Sequence, residues 1–201
     1  AQRLEQRAAM VELSRQLAEA GSGRPGGEAW IRQYLNAEFT WGSSGKALQA
    51  CEPFITDARL SLDTRASAAL RQAYFTAQGN DRAVLARVWQ RADALAQQAL
   101  QQGGAGAQRL AVDHLQVRSE VERLGGQSAA AVATLRQAVG LARRWQDEAA
   151  RRDPQDRDPG GWLDGSLGML VYALVQQGRA PEAVDIAQAN LALWKAGRHN
   201  D

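Results

Sequence analysis

LVYALVQQGRAPEAVDIAQANLALW, residues 170 to 194, decides the fold. Together with the residues just before it, it places Leu163, Leu167, Leu170 and Leu174 at three- and four-residue intervals. That spacing stacks side chains on one face of an α-helix. Gly178 stops the helix. Pro181 suits the first turn of the next one, where the missing N–H would have had no partner. The stretch SEVERLGGQSAAAVATLRQAVGLARRW, 119 to 145, repeats the plan. Gly126 stands for Gly178, Ala131 for Ala183, Val132 for Val184, Val139 for Leu191 and Leu141 for Leu193. AYFTAQGNDRAVLARVWQRA is a weaker third copy with Gly79, Ala83 and Val84 in the matching places, one residue short in the turn. GSSGKALQA is a candidate fourth, with Gly45 and Ala47.

A helix pair cannot bury its own apolar face, so neighbouring pairs stack into a continuous core. Small residues such as Ala131 and Ala183 let paired backbones approach closely. Working outward, helices are predicted over 1 to 20, from Glu28 to about Phe39, and from about Lys46 to Ala58. A fourth is capped by Asp63 or Thr64 and ends at Gly79-Asn80. A fifth is capped by Asp81, with Val84, Val88, Ala92, Leu95 and Ala99 on one stripe. The sixth carries Leu110, His114, Val117, Val121 and Leu124 on one face and ends at Gly125-Gly126, and Ser128 is a candidate cap for the seventh, which runs past Trp145. The eighth and ninth are the pair around Gly178, with Gly197 ending the last. The stretch WQDEAARRDPQDRDPGG has balanced charge and two Asp-Pro steps, so at least its second half reads as an exposed loop. No window alternates as a strand does.

These units resemble tetratricopeptide repeats, two antiparallel helices meeting through a turn of the Gly-x-x-x-Glu-Ala kind. The likeness is closest over 163 to 194, where Leu167, Leu170, Leu174, Gly178, Glu182, Ala183 and Ala187 fall in place. The marker alanines Ala47, Ala83, Ala131 and Ala183 are 36, 48 and 52 residues apart, against about 34 in a regular array. The stretches 101 to 107 and 146 to 160 account for most of the excess, and the proline usual at the end of the second helix is missing. The resemblance implies an all-α, right-handed α-solenoid of about four antiparallel helix pairs. Residues 28 to 201 form the repeat domain, and 1 to 20 a capping or connector helix that pairs with nothing obvious.

The function this implies is non-enzymatic binding of a peptide or protein partner, with no cofactor. In such repeats the first helix of each pair lines the concave surface. Gly165, Gly168 and Tyr172 lie at i, i+3 and i+7 on the eighth helix, and two interior glycines cost about 1 kcal/mol each against alanine. Either close helix contact or an open binding surface compensates. On the second reading Ser119 and Glu122 of the sixth helix lie beside Tyr172. Six tryptophans, Trp30, Trp41, Trp89, Trp145, Trp162 and Trp194, are expected mostly as packing groups. The remainder, Trp162 included, are candidates to line a groove. The alternative function is a small-molecule receptor with a pocket among them.

Other classes are disfavoured by composition. FTWGSSGKALQ, 39 to 49, has the Gly-Lys of a phosphate loop but Thr40 and Ala47 where that motif needs Gly and Ser or Thr, and no strand feeds it. Arginines dominate the 24 basic residues but are interleaved with 22 acids, leaving net charge +2. That is a poor footprint for nucleic acid. One cysteine, Cys51, excludes an internal disulfide and a cysteine-built zinc site. No acid or histidine cluster has metal-ligand spacing. Cys51 and His114 lack an evident catalytic partner and read as packing groups, and His199 lies near the terminus. No apolar run approaches the ~18 residues of a membrane span. The chain opens on Ala rather than Met and on a connector-like helix, so a module from a larger bacterial signalling or regulatory protein is expected, such as the sensor region of a membrane kinase. Cysteine usage leaves the compartment open, and that context favours the periplasmic side.

Overall fold

The computed structural model describes residues 2–21, 24, 27–79, 82–104, 106–153 and 158–195. Among them are nine helices and no strand: α1 (Gln2–Gly21), α2 (Gly27–Trp41), α3 (Ser44–Thr56), α4 (Leu62–Gln78), α5 (Arg82–Gln102), α6 (Ala107–Leu124), α7 (Ser128–Arg152), α8 (Asp158–Gln176) and α9 (Ala180–Lys195). The all-α reading holds. The chain divides into two compact units, Ala1–Gly103 and Gly104–Asp201.

In the first unit α1, for which the sequence offers no partner, packs along α2. Next, α2 meets α3 and α4, α3 meets α4, and α4 meets α5. The interior is built from Ile31, Leu35, Ile55, Leu70 and Phe75, with Ala92, Ala96 and Ala99 as the buried stripe of α5. Phe39 stacks on Phe75 at 4.2 Å between ring centroids, and Tyr34 meets Phe54 edge-on. Such offset and edge contacts add about 0.5–1.5 kcal/mol per pair beyond the area they bury. Between helices, Arg65 Nε donates to the Ile55 carbonyl and Arg91 pairs with Glu52 at 2.8 Å.

The second unit has the more regular plan. Both α6 and α8 pack on α7, α8 also touches α6, and α9 packs on α8. Leu163, Leu167, Leu170 and Leu174 are all buried, against Val132, Leu135, Val139, Ala142 and Trp145 of α7. The turns α6–α7 and α8–α9 have the same geometry. Gly126 and Gly178 both take the left-handed conformation (φ 79° and 72°). The N–H of Gln127 donates to the Glu122 carbonyl, and that of Arg179 to the Leu174 carbonyl, each closing the turn onto a carbonyl five residues back. Glu182, in the first turn of α9, accepts from Arg136 of α7 and from Arg179.

Local end signals are corrected in three places. Ser61, not Asp63 or Thr64, caps α4, accepting from the Thr64 N–H at 3.2 Å. Ser128 is already inside α7, whose preceding residue Gln127 makes no side-chain cap bond. Gly79 ends α4 in the right-handed region, as Gly125 ends α6, and the two residues after it lie outside the described residues. Asp81 and Gly197 lie outside the described residues. α7 also runs through the first half of the charged stretch to Arg152, and α8 already begins at Asp158, so Pro159 and Gly160 are buried in a helix rather than part of an exposed loop.

The shared turn generates a prediction. Gly126→Ala and Gly178→Ala each place a Cβ at positive φ, which costs about 1–2 kcal/mol. Urea denaturation followed by circular dichroism should show both losses at similar size. No loss at Gly178 would mean that the turn is not held as described.

Candidate functional site

The eighth helix separates its residues cleanly between two faces. Its leucines point to the core, while Gly161, Gly165, Gly168, Tyr172 and Val175 share the opposite, exposed face. Tyr172 is 53% exposed and Val175 51%, unusually open for a tyrosine and a valine in a packed helix. A Cβ built on Gly161 or Gly168 meets nothing within 4 Å, and one on Gly165 comes only to an ordinary 3.5 Å from Gln116 Nε2. Close helix–helix contact therefore does not explain these glycines. They leave a side-chain-poor strip along the helix.

The helix beside that strip is α6. Gln116 ties the two together: its Nε2 donates to Ser166 Oγ at 2.9 Å, and Ser166 Oγ in turn donates to the Trp162 carbonyl at 2.9 Å. One turn on, Arg123 pairs with Glu120 at 2.8 Å. That hydrogen bond is the main reason the Arg123 guanidinium is held still more firmly charged, and the nearby Tyr172 phenol adds to it. The strip is thus bordered by a fixed ion pair and a buried amide.

The residues singled out from sequence fall into two groups. Gly165, Gly168 and Tyr172 do share an exposed face. Ser119 is buried, its hydroxyl donating to the Gln116 carbonyl at 2.6 Å. Glu122 is engaged by Thr134 of α7 at 2.7 Å and by Arg118 at 2.8 Å. Trp162 is half-buried and packs on the core of the second unit. The α6 groups beside the strip are instead Gln116, Glu120 and Arg123, at i, i+4 and i+7. That spacing was visible in the sequence. Which of two adjacent faces turns to α8 was not, because both carry a mixture of apolar and polar residues.

The tryptophans do not gather around one centre. Trp30 and Trp41 are exposed on α2, Trp145 is buried in the core of the second unit, and Trp89 is half-buried on α5. The Trp194 side chain lies outside the described residues. Cys51 is buried, its thiol donating to the Ala47 carbonyl at 3.2 Å, and burial pushes its pKa up to about 12. It is a protonated packing group, not a nucleophile at neutral pH. His114 is buried within α6. Gly45 and Lys46 sit in the first turn of α3, capped by Ser43 Oγ. Among the described residues no group of three or more His, Cys, Asp or Glu is arranged to hold a metal, and no helix is long and apolar enough to cross a membrane. Comparison with known protein families, curated proteins and solved structures finds no match.

Two measurements check this geometry. Gly168→Ala should raise stability by about 0.5–1 kcal/mol, since the methyl enters open space in a helix interior that glycine weakens. A loss in urea denaturation would show that the strip is packed after all. Cys51 should resist iodoacetamide at pH 8 in the native protein and take a single adduct in urea, read by mass spectrometry. Rapid native labelling would place the thiol at the surface.

Proposed function

We propose that this chain is a non-enzymatic binding scaffold, built of tetratricopeptide-like helix pairs, whose α8 strip receives a peptide or protein partner. The observation that carries the reading is the open face of α8. Three glycines weaken the helix and free no packing partner, and the strip ends in two exposed apolar side chains, Tyr172 and Val175. An extended partner laid along it meets backbone and small residues first, then an aromatic anchor. The Glu120–Arg123 pair and the Gln116 amide supply polar contacts at the border. Few large anchors amid weak contacts is the usual energetic pattern of such interfaces. The repeated Gly126 and Gly178 turns support the kinship with tetratricopeptide pairs. The role as sensor or interaction region of a larger bacterial signalling protein is part of the same proposal.

A small-molecule receptor is the second reading, favoured by Trp41, which lines two open clefts on the sides of α2 next to α1.

Peptides selected by display against the whole chain test the first reading. Tyr172→Ala should cost about 1 to 2 kcal/mol of affinity for them with little change in Tm. Gly168→Leu should block the strip by bulk and leave the fold intact, because its side chain projects into open space. Selected peptides that bind both variants as tightly as the parent would place the interface elsewhere.

A further inference from the structure

Glu38 is a buried acid that the binding strip leaves unexplained. It lies in the last turn of α2 and is only 6% exposed, and the part it leaves open faces a cleft. Burying a carboxylate is costly unless a cation or donors meet it. It lines a cleft of about 440 Å³ between α1 and the α2–α3 turn, together with Glu12, Arg15, Trp41, Gly42 and Lys46. Gly42 sets its position. A Cβ there would fall 2.3 Å from Glu38 Oε1, so the carboxylate lies over an α-carbon that only glycine leaves bare. The same charge reaches Tyr34, whose phenol is pushed up first by burial and then by Glu38.

Neither basic group of the cleft neutralises Glu38. Arg15 is held by Glu12 at 2.6 Å and by Glu19 at 2.5 Å, both on its own helix. Lys46 stands exposed in the first turn of α3, and its ammonium pairs with no described residue. Trp41 adds an aromatic wall, and ammonium groups are attracted to the indole face. The cleft falls in the size range of small-ligand sites, about 300–1,000 Å³. The lining carboxylates are too few for a metal cage, and none is found among the described residues.

We propose that this cleft is a binding site for a small organic cation carrying a primary ammonium group, with Glu38 as its acceptor and Trp41 as its apolar wall. Lys46 is the resident competitor, able to swing toward the same carboxylate when the site is empty. The site lies in the first unit and does not depend on the α8 strip.

Titration calorimetry of the whole chain at low ionic strength tests it, with 1,5-diaminopentane as probe and glutarate as the anionic control of equal length. The diamine should bind saturably and glutarate should not. Glu38→Gln keeps the side-chain shape and should weaken the diamine at least tenfold without lowering Tm. Trp41→Leu should weaken it several-fold. Lys46→Met should tighten it, and binding seen only in Lys46→Met and lost again on adding Glu38→Gln would also uphold the site. Diamine binding that Glu38→Gln leaves unchanged overturns the proposal. So does an absence of binding in both the parent and Lys46→Met, which would assign Glu38 to solvent alone.

Discussion

The apolar stripe of α8 has to be covered, and most of the second unit follows from how α7 covers it. Four leucines on one face bury completely only if a second helix runs alongside with small and branched residues in register. Ala142 provides the small contact, and Val132, Leu135 and Val139 fill the spaces. At about 1.5–3 kcal/mol for each fully buried leucine, this contact outweighs any single ion pair on the surface, where the usual contribution is about 0–1 kcal/mol. Once α7 and α8 are paired, the polar side of α8 is determined as well. It has to face away, and there the glycines and Tyr172 lie.

The two left-handed glycine turns convert this pairing into a repeated unit. Each turn ends a helix within two residues and returns the chain antiparallel, with the outgoing carbonyls satisfied by the turn's own N–H groups. Ala131 and Ala183, at matching distances past the turns, are both buried. Further along, the likeness breaks down. Val139 is 8% exposed whereas its counterpart Leu191 is 54% exposed, because α7 is covered by α8 and nothing among the described residues covers that face of α9. Equivalent residues in equivalent helices thus have different environments, set by their neighbours.

Both proposed binding sites rest on exceptions to good packing. A helix filled for stability would carry alanine or a longer residue at Gly161 and Gly168, and would not bury Glu38 beside a bare α-carbon. Both departures lower stability locally and leave a surface or a charge unused by the fold. By contrast, the residues chemistry most often recruits, Cys51 and His114, are buried within helices, and the environment of Cys51 suppresses its reactivity.

Much of the architecture was legible residue by residue. Nine helical segments, the Gly178 turn, the buried leucines and the alignment of Gly165, Gly168 and Tyr172 in one row all follow from periodicity and from glycine and proline chemistry, which act over a few neighbours along the chain; that the row is open rather than packed does not. Such signals survive in a sequence because the backbone responds to them before any tertiary contact forms. The cap at Ser61, the phase of α6 that brings Gln116 and Arg123 rather than Ser119 and Glu122 to the strip, the partnership of α1 with α2 and the burial of Glu38 were not legible. Each depends on which surface of a helix meets another helix. A sequence with polar and apolar residues on two adjacent faces leaves that rotation open until packing selects one.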